Sequence, residues 1–306
     1  MTSKTLITLA IASIVFSLLI VTDFRGRKIS VESNFSSIEI ERVTDPYERA
    51  ILYHSQACQE FYKPINSSDA LAGPMLVWES HGSARNFATD SVVCPDGPIP
   101  FVYVDNVKAG STAMREVLRK KFNCSWERHK NWAEAKYEAT CKEKTKPKVC
   151  RSKTNWLTEE IVNDFFFFSM VREPISRFVS GYKQALFQDP ELRDLTISQY
   201  VDKYRNYNLN EHTQTQAMRL SGSDENGNQV PMHFIGALET IDADMSLLWK
   251  KFNLPAEKMP HSYVSETSPL KASLNTTLSD EDIVKLCGHL KQDFVCFGYP
   301  FPPQCQ

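Results

Sequence analysis

From Phe165 to Val171 the chain reads Phe-Phe-Phe-Phe-Ser-Met-Val, apolar at nearly every position. A strand with one wet face alternates apolar and polar residues, so a continuous apolar run of this length reads as a strand buried on both faces. Strands of that kind belong to parallel sheets covered by helices on both sides, which restricts the fold to the α/β classes. Arg172-Glu173-Pro174 follow directly. Proline suits the first turn of a helix, and Phe178, Tyr182, Ala185 and Leu186 then recur on one face of a helix reaching about Phe187.

Two further segments repeat the strand-to-helix pattern. Ile99–Val104 is rich in strand formers, Asp105–Ser111 is a turn, and Thr112–Phe122 places Met114, Val117, Leu118 and Phe122 on one helical face. Phe234–Leu238 is followed by a helix from about Asp242 to Phe252. Repeated βα units predict a central, mainly parallel sheet flanked by helices. Elsewhere, Pro46–Tyr62 has helical spacing, Glu211–Leu220 reads as a helix, and Ser279 with Asp282 signals a capped helix to Leu290. The tail 293–306, with three prolines and two cysteines, reads as a disulfide-tied strand or loop. Ser67–Pro98, broken by glycine and proline, gives no assignable pattern.

The N-terminus carries an uncharged apolar run, Leu6–Val21, which Thr5 and Thr22 extend to 18 residues. That reaches the short end of a bilayer span. It is longer than a usual signal-peptide core and lacks an Ala-x-Ala cleavage site, which favours a signal anchor over a cleaved peptide. The expected organisation is a cytoplasmic tail at 1–4, an anchor at 5–22, a stem at 23–45 and a luminal domain at 46–306. Arg25, Arg27 and Lys28 after the span pull the other way by the positive-inside rule. Against them stand eight cysteines, all after the span, and four Asn-x-Ser/Thr sequons at Asn34, Asn66, Asn123 and Asn275. An even cysteine count without Cys-x-x-Cys points to disulfides in an oxidising compartment rather than to zinc. Proximity in sequence suggests Cys124 or Cys141 with Cys150, and Cys287 or Cys296 with Cys305.

Two segments carry anion chemistry. Lys108-Ala109-Gly110-Ser111-Thr112 stands at a strand-to-helix turn. Free N–H groups and a partial positive charge at a helix N-terminus bind phosphate or sulfate. Gly110 lets the backbone come close, Ser111 and Thr112 add hydroxyls, and Lys108 adds a mobile charge. A Walker A loop is absent. Read alone, the segment is equally a capped turn with a solvated lysine. The second segment runs from Arg172 through Pro174, Arg177 and Ser180 to Tyr182. Arg172 ends a buried strand, where open α/β sheets bind ligands. Arg177 and Ser180, three apart, share a helix face and could clamp a second phosphate. Read alone, this too is equally an ordinary helix start. Together the two segments fit a ligand with two separated anionic groups, such as a nucleotide carrying 3′ and 5′ phosphates.

On these motifs the chain resembles the Golgi membrane-anchored carbohydrate sulfotransferases, over about Pro100–Pro300. Lys-Ala-Gly-Ser-Thr is similar to that family's 5′-phosphosulfate loop, and Arg172-x-Pro-x-x-Arg177-x-x-Ser180-x-Tyr182 to its 3′-phosphate motif. The segments from His233 to Leu248 and from Leu278 to Pro300 resemble its later patterns. One departure is Val107, where the family usually has proline. The resemblance implies a P-loop-like three-layer sandwich and a reaction that moves a sulfo group from 3′-phosphoadenosine 5′-phosphosulfate (PAPS) to a hydroxyl. It implies Lys108, Ala109, Gly110, Ser111 and Thr112 on the phosphosulfate, with Arg172, Arg177 and Ser180 at the 3′-phosphate. Lys108 and His212 would be catalytic, His212 as general base, with Glu116 and Glu211 as weaker candidates. No metal is required. The implied partners are a glycan or proteoglycan acceptor and the Golgi membrane, with room for a homodimer.

Other classes fare less well. A net charge of −2 lacks the basic excess of a nucleic-acid binder. A metal-dependent glycosyltransferase would use Asp-x-Asp, and Asp242-Ala243-Asp244 matches, but so does Asp280-Glu281-Asp282. Both look like acidic first turns of helices. An inactive luminal glycan-binding protein is opposed by the presence of Lys108, Arg172 and Ser180, and a nucleotide kinase by the missing Walker lysine.

Overall fold

The computed structural model describes residues 42–59, 91–122, 124, 159–204, 210, 212–221, 229–259 and 274–306. Four strands form one sheet in the order β1 (Ser91–Cys94), β2 (Phe101–Val104), β3 (Phe166–Val171) and β4 (Phe234–Ala237). β1 runs antiparallel to β2, whereas β2–β3 and β3–β4 are parallel. The register pairs Val104 with Ser169 and Val171 with Ala237. The parallel part agrees with the sequence pattern. The antiparallel β1 lies in the stretch that gave no pattern, because four residues are too few for periodicity to show.

The strands are buried almost throughout, and successive residues enter different cores, as the pleat requires. Val102, Val104, Phe167, Val171, Ile235 and Ala237 point to one side. There they meet α1 (Pro46–Tyr53), α5 (Pro174–Gln188), α6 (Ile197–Lys203), α9 (Asp280–His289) and α10 (Lys291–Phe297). Phe101, Tyr103, Phe168, Met170 and Phe234 point to the other, against α3 (Ser111–Phe122) and α8 (Ile241–Lys251). Two short helices, α2 (Gln56–Gln59) and α4 (Glu159–Asp164), join the first of these sides, together with α7 (Gln216–Leu220). The result is a central sheet between two helical layers, an α/β architecture.

Three local expectations need correction. The helix expected over Pro46–Tyr62 breaks at His54-Ser55, where His54 Nε2 accepts from Met232 N at 2.8 Å, giving α1 and α2. The helix expected over Glu211–Leu220 starts only at Gln216. Asn210, His212 and Thr213 form a side-chain-bonded turn instead, since such side chains compete with the helical ladder. The tail is not strand: α10 occupies Lys291–Phe297 and stops at Gly298 in the left-handed region. The prolines all follow that stop.

Disulfides join Cys58 to Cys296, Cys94 to Cys124 and Cys287 to Cys305. Only the last is among the pairs suggested by proximity. Cys124 pairs backwards with the end of β1 rather than forwards with Cys150, because the end of α3 returns beside that strand. Cys141 and Cys150 lie outside the described residues. Among the described residues no helix is long and apolar enough to cross a membrane. The anchor expected at 5–22 lies outside them, as do Asn34, Asn66 and Asn123.

Candidate functional site

Because β2, β3 and β4 are parallel, their carboxyl ends leave the same edge of the sheet, where ligands of open α/β sheets bind. The turn after β2 holds the first anion segment. Ala109 N donates to Asn106 O at 3.2 Å, and the helix begins with Met114 N to Gly110 O at 3.0 Å. Lys108 has φ 69° and Gly110 φ 81°. A non-glycine residue held at positive φ is uncommon, and among the described residues only Asn253 shares this feature with Lys108. Such turns aim successive N–H groups into one concavity, and the first amides of α3 have no intrahelical acceptor. At Gly110 a Cβ would lie 3.2 Å from Leu238 Cδ1, in addition to the strain of its φ. Ser111 is buried and Thr112 exposed at the helix start.

Arg172 stands at the next strand end, half-buried. Its backbone N–H donates to Gln216 Oε1 at 2.9 Å, and its carbonyl accepts from Gln216 Nε2 at 2.7 Å. No hydrogen bond from its guanidinium to a described residue is present. Glu173 caps α5 by accepting from Ile175 N and Ser176 N, and its own N–H donates to Glu239 Oε1 at 2.7 Å. Ser180, about two turns on, is half-buried.

Arg177 differs from Ser180, with which it was expected to share an accessible face. It is only 1% exposed. Nε donates to Val107 O at 3.1 Å and Nη1 to Gln214 O at 2.5 Å. Nη2 is buried without a hydrogen-bond partner among the described residues. Burial lowers its pKa to about 10, with Asp293 opposing the shift, so the group stays cationic near neutrality. Arg177 therefore fastens α5 to both the Lys108 turn and the His212 turn.

His212 sits in that second turn, 9% exposed. Asn210 Oδ1 accepts from His212 N at 3.0 Å and lies 2.8 Å from His212 Nδ1. A backbone N–H can only donate, so this atom of Asn210 is the acceptor and Nδ1 carries the hydrogen. The lone pair of the neutral ring is then on Nε2, the tautomer a base needs. Tyr200 and Tyr204 hold the turn through Thr213 Oγ1 and Thr213 O. Gly181 lets it approach α5, since a Cβ there would lie 2.2 Å from His212 O.

Three residues that local pattern did not single out complete the arrangement. Asn106 Nδ2 donates to Met170 O and to Gln216 Oε1, both at 2.9 Å. Asp293 accepts from Gln216 N and Ala217 N at 2.9 Å each. Burial pushes the Asp293 carboxyl up to about 6, against the pull of Arg177 and the two amides. The cue in sequence was slight: Asn106 precedes the Lys108 segment, and Gln216 follows His212 by four residues.

The acids behind the metal-dependent alternative are engaged elsewhere. Asp244 pairs with Arg49 at 3.1 Å inside the protein and also accepts from Ala237 N and Thr240 Oγ1. Asp242 accepts from Met259 N. Asp282 completes the capping box of α9 by accepting from Ser279 N, and Asp280 accepts from Gln304. Of the other base candidates, Glu116 pairs with Lys120 at 2.5 Å, and Glu211 lies outside the described residues.

A family model described as "Sulfotransferase family" matches residues 89–300, a span containing both anion turns and the His212 turn. No curated protein and no solved structure matches the chain.

Proposed function

Because the chain belongs to the sulfotransferase family, we propose that it moves a sulfo group from PAPS to a glycan hydroxyl, as a type II protein of the Golgi membrane. The observation that carries this reading is the pairing of two cationic turns on adjacent parallel strand ends. One is shaped by positive φ at Lys108 and Gly110; the other presents Arg172. Two such turns on neighbouring strands match a nucleotide that carries anionic groups at both its 5′ and its 3′ position.

PAPS supplies the sulfo group, whose bond to the 5′-phosphate oxygen breaks as the acceptor oxygen bonds to sulfur. The chain's own residues bind, orient and neutralise. The amides of Gly110–Thr112 and the hydroxyls of Ser111 and Thr112 hold the phosphosulfate, while the Ala109 amide, which donates to Asn106 O, keeps the turn closed around it. Lys108 offsets the negative charge that grows on the leaving oxygen, at a preorganised position. Arg172 and Ser180 hold the 3′-phosphate, and Arg177 keeps the Lys108 and His212 turns in place. His212 Nε2 takes the acceptor proton, the ring held by Asn210. The engaged state of Asp242 and Asp244 leaves the glycosyltransferase reading without its ligand pair.

Calorimetry of PAP binding to the secreted domain, without added metal, tests the nucleotide site. Wild type should bind at micromolar or lower Kd. Arg172→Ala should weaken binding at least tenfold, as loss of a charge-assisted phosphate contact costs about 1.5–3 kcal/mol. A folded wild type that fails to bind PAP would remove the assignment.

Luminal placement has its own check. Asn275 is exposed, and its Oδ1 accepts from Thr277 N ahead of α9. In a secretory host Asn275→Gln should shed one N-glycan, seen as a mobility shift that glycosidase treatment abolishes. Identical mobility of both proteins would count against glycosylation at this site.

A further inference from the structure

We infer that Gln216 is a positioning residue that locks Arg172 to the Lys108 turn, so that the two anion-binding turns act as one site. The inference rests on the reading of that edge as a nucleotide site. Gln216 is fully buried at the start of α7, out of reach of solvent. Its side-chain amide meets both backbone groups of Arg172, at 2.9 Å and 2.7 Å, as a neighbouring strand would. The same Oε1 accepts from Asn106 Nδ2, at 2.9 Å. Asn106 is the residue whose carbonyl closes the Lys108 turn onto Ala109 N. One planar amide thus connects the ends of two strands.

The amide is itself anchored. Gln216 N donates to Asp293 Oδ2 and the next amide to Asp293 Oδ1, so α10 fixes where the side chain starts. The bonding pattern needs one acceptor shared by two donors and one donor aimed at a carbonyl. Glutamine supplies that set. Glutamate would face the Arg172 carbonyl with a second oxygen, and methionine would keep the volume while losing every bond. Since the backbone of Arg172 is held at both its polar groups, the direction in which the guanidinium leaves the strand is set by Gln216.

The test compares PAP with adenosine 5′-phosphosulfate, which lacks the 3′-phosphate. Calorimetry would be run on the secreted domain for wild type, Gln216→Met, Arg172→Ala and the double variant, alongside melting temperatures. Gln216→Met should weaken PAP about tenfold to a hundredfold, the range for loss of buried hydrogen bonds. It should lower the ratio of PAP to phosphosulfate affinity, and it should add less than threefold in the Arg172→Ala background. A purely structural residue would lower the melting temperature and weaken both ligands alike, leaving that ratio unchanged. An unchanged ratio, or full additivity with Arg172→Ala, would overturn the inference while leaving the nucleotide site intact. Absence of PAP binding by wild type would overturn the nucleotide reading and the inference with it. Should Gln216→Met not be secreted, the isosteric Gln216→Glu carries the same comparison.

Discussion

Asp244→Ala is expected to lower the unfolding free energy by about 3–5 kcal/mol, the range for breaking a buried ion pair from one side. Arg49 and Asp244 are each 2% exposed. Asp244 Oδ2 takes Arg49 Nη1 at 3.1 Å, Ala237 N at 2.7 Å and Thr240 Oγ1 at 3.0 Å. Removing the carboxylate strands a guanidinium that still donates to Ile235 O, Thr44 O and Val43 O but has lost its counter-charge. It also orphans the last amide of β4. Against a typical total of about 5–15 kcal/mol, that is a large fraction of the stability. Urea unfolding of the secreted domain measures this. Asp242→Ala is the control: that side chain holds Met259 N at 3.2 Å at a half-buried position, so about 1 kcal/mol is expected. Equal effects of the two substitutions would refute the structural role of Asp244.

The second large effect is kinetic. Lys108→Ala should reduce kcat for sulfo transfer by ~10²–10³-fold, the loss seen when one preorganised charge-stabilising group is removed. Its φ of 69° is set by the turn, and alanine meets the same backbone cost as lysine there, so the substitution removes the charge without a new strain. PAP affinity should fall by less than tenfold, since the turn's amides and Arg172 remain. Transfer from labelled PAPS to a glycan acceptor gives the rate, and calorimetry gives the affinity. Loss of affinity matching the loss of rate would assign Lys108 to ground-state binding instead.

What the sequence disclosed is what is local. The Phe165–Val171 run, the helix face at Phe178, Tyr182, Ala185 and Leu186, and the glycine turn at 110 are all patterns within a dozen residues. With Ile99–Val104 and Phe234–Leu238 they give three of the four strands among the described residues, and the strand ends where the candidate site lies. What stayed hidden joins distant positions. Gln216 reaches Arg172 across 44 residues and Asn106 across 110, and Asp293 reaches Gln216 across 77. No periodicity reports such bonds. Gly181 in a helix interior reads as a cost of propensity until the carbonyl of His212 is seen against it. The helix expected around His212 failed because Asn210 and Thr213 bond their own backbone. Arg177 lies deeper than its helix position suggested for a related reason: a charged side chain in an amphipathic pattern does not reveal which carbonyls lie beneath it.

The Cys58–Cys296 bond joins residues 238 apart, and so encloses both other described bridges or part of them. At a synthesis rate of roughly 5–20 residues per second, Cys296 trails Cys58 by some tens of seconds. Cys94 and Cys124 emerge within that interval, and their shorter loop can close first. Cys58 must therefore stay reduced, or exchange out of a wrong pairing, until the far end of the chain arrives. A ribosome that stops before Cys296 leaves α1 and α2 with no covalent tether and a thiol exposed to exchange. Quality control that reads unpaired thiols would thus detect an unfinished chain through its first helices.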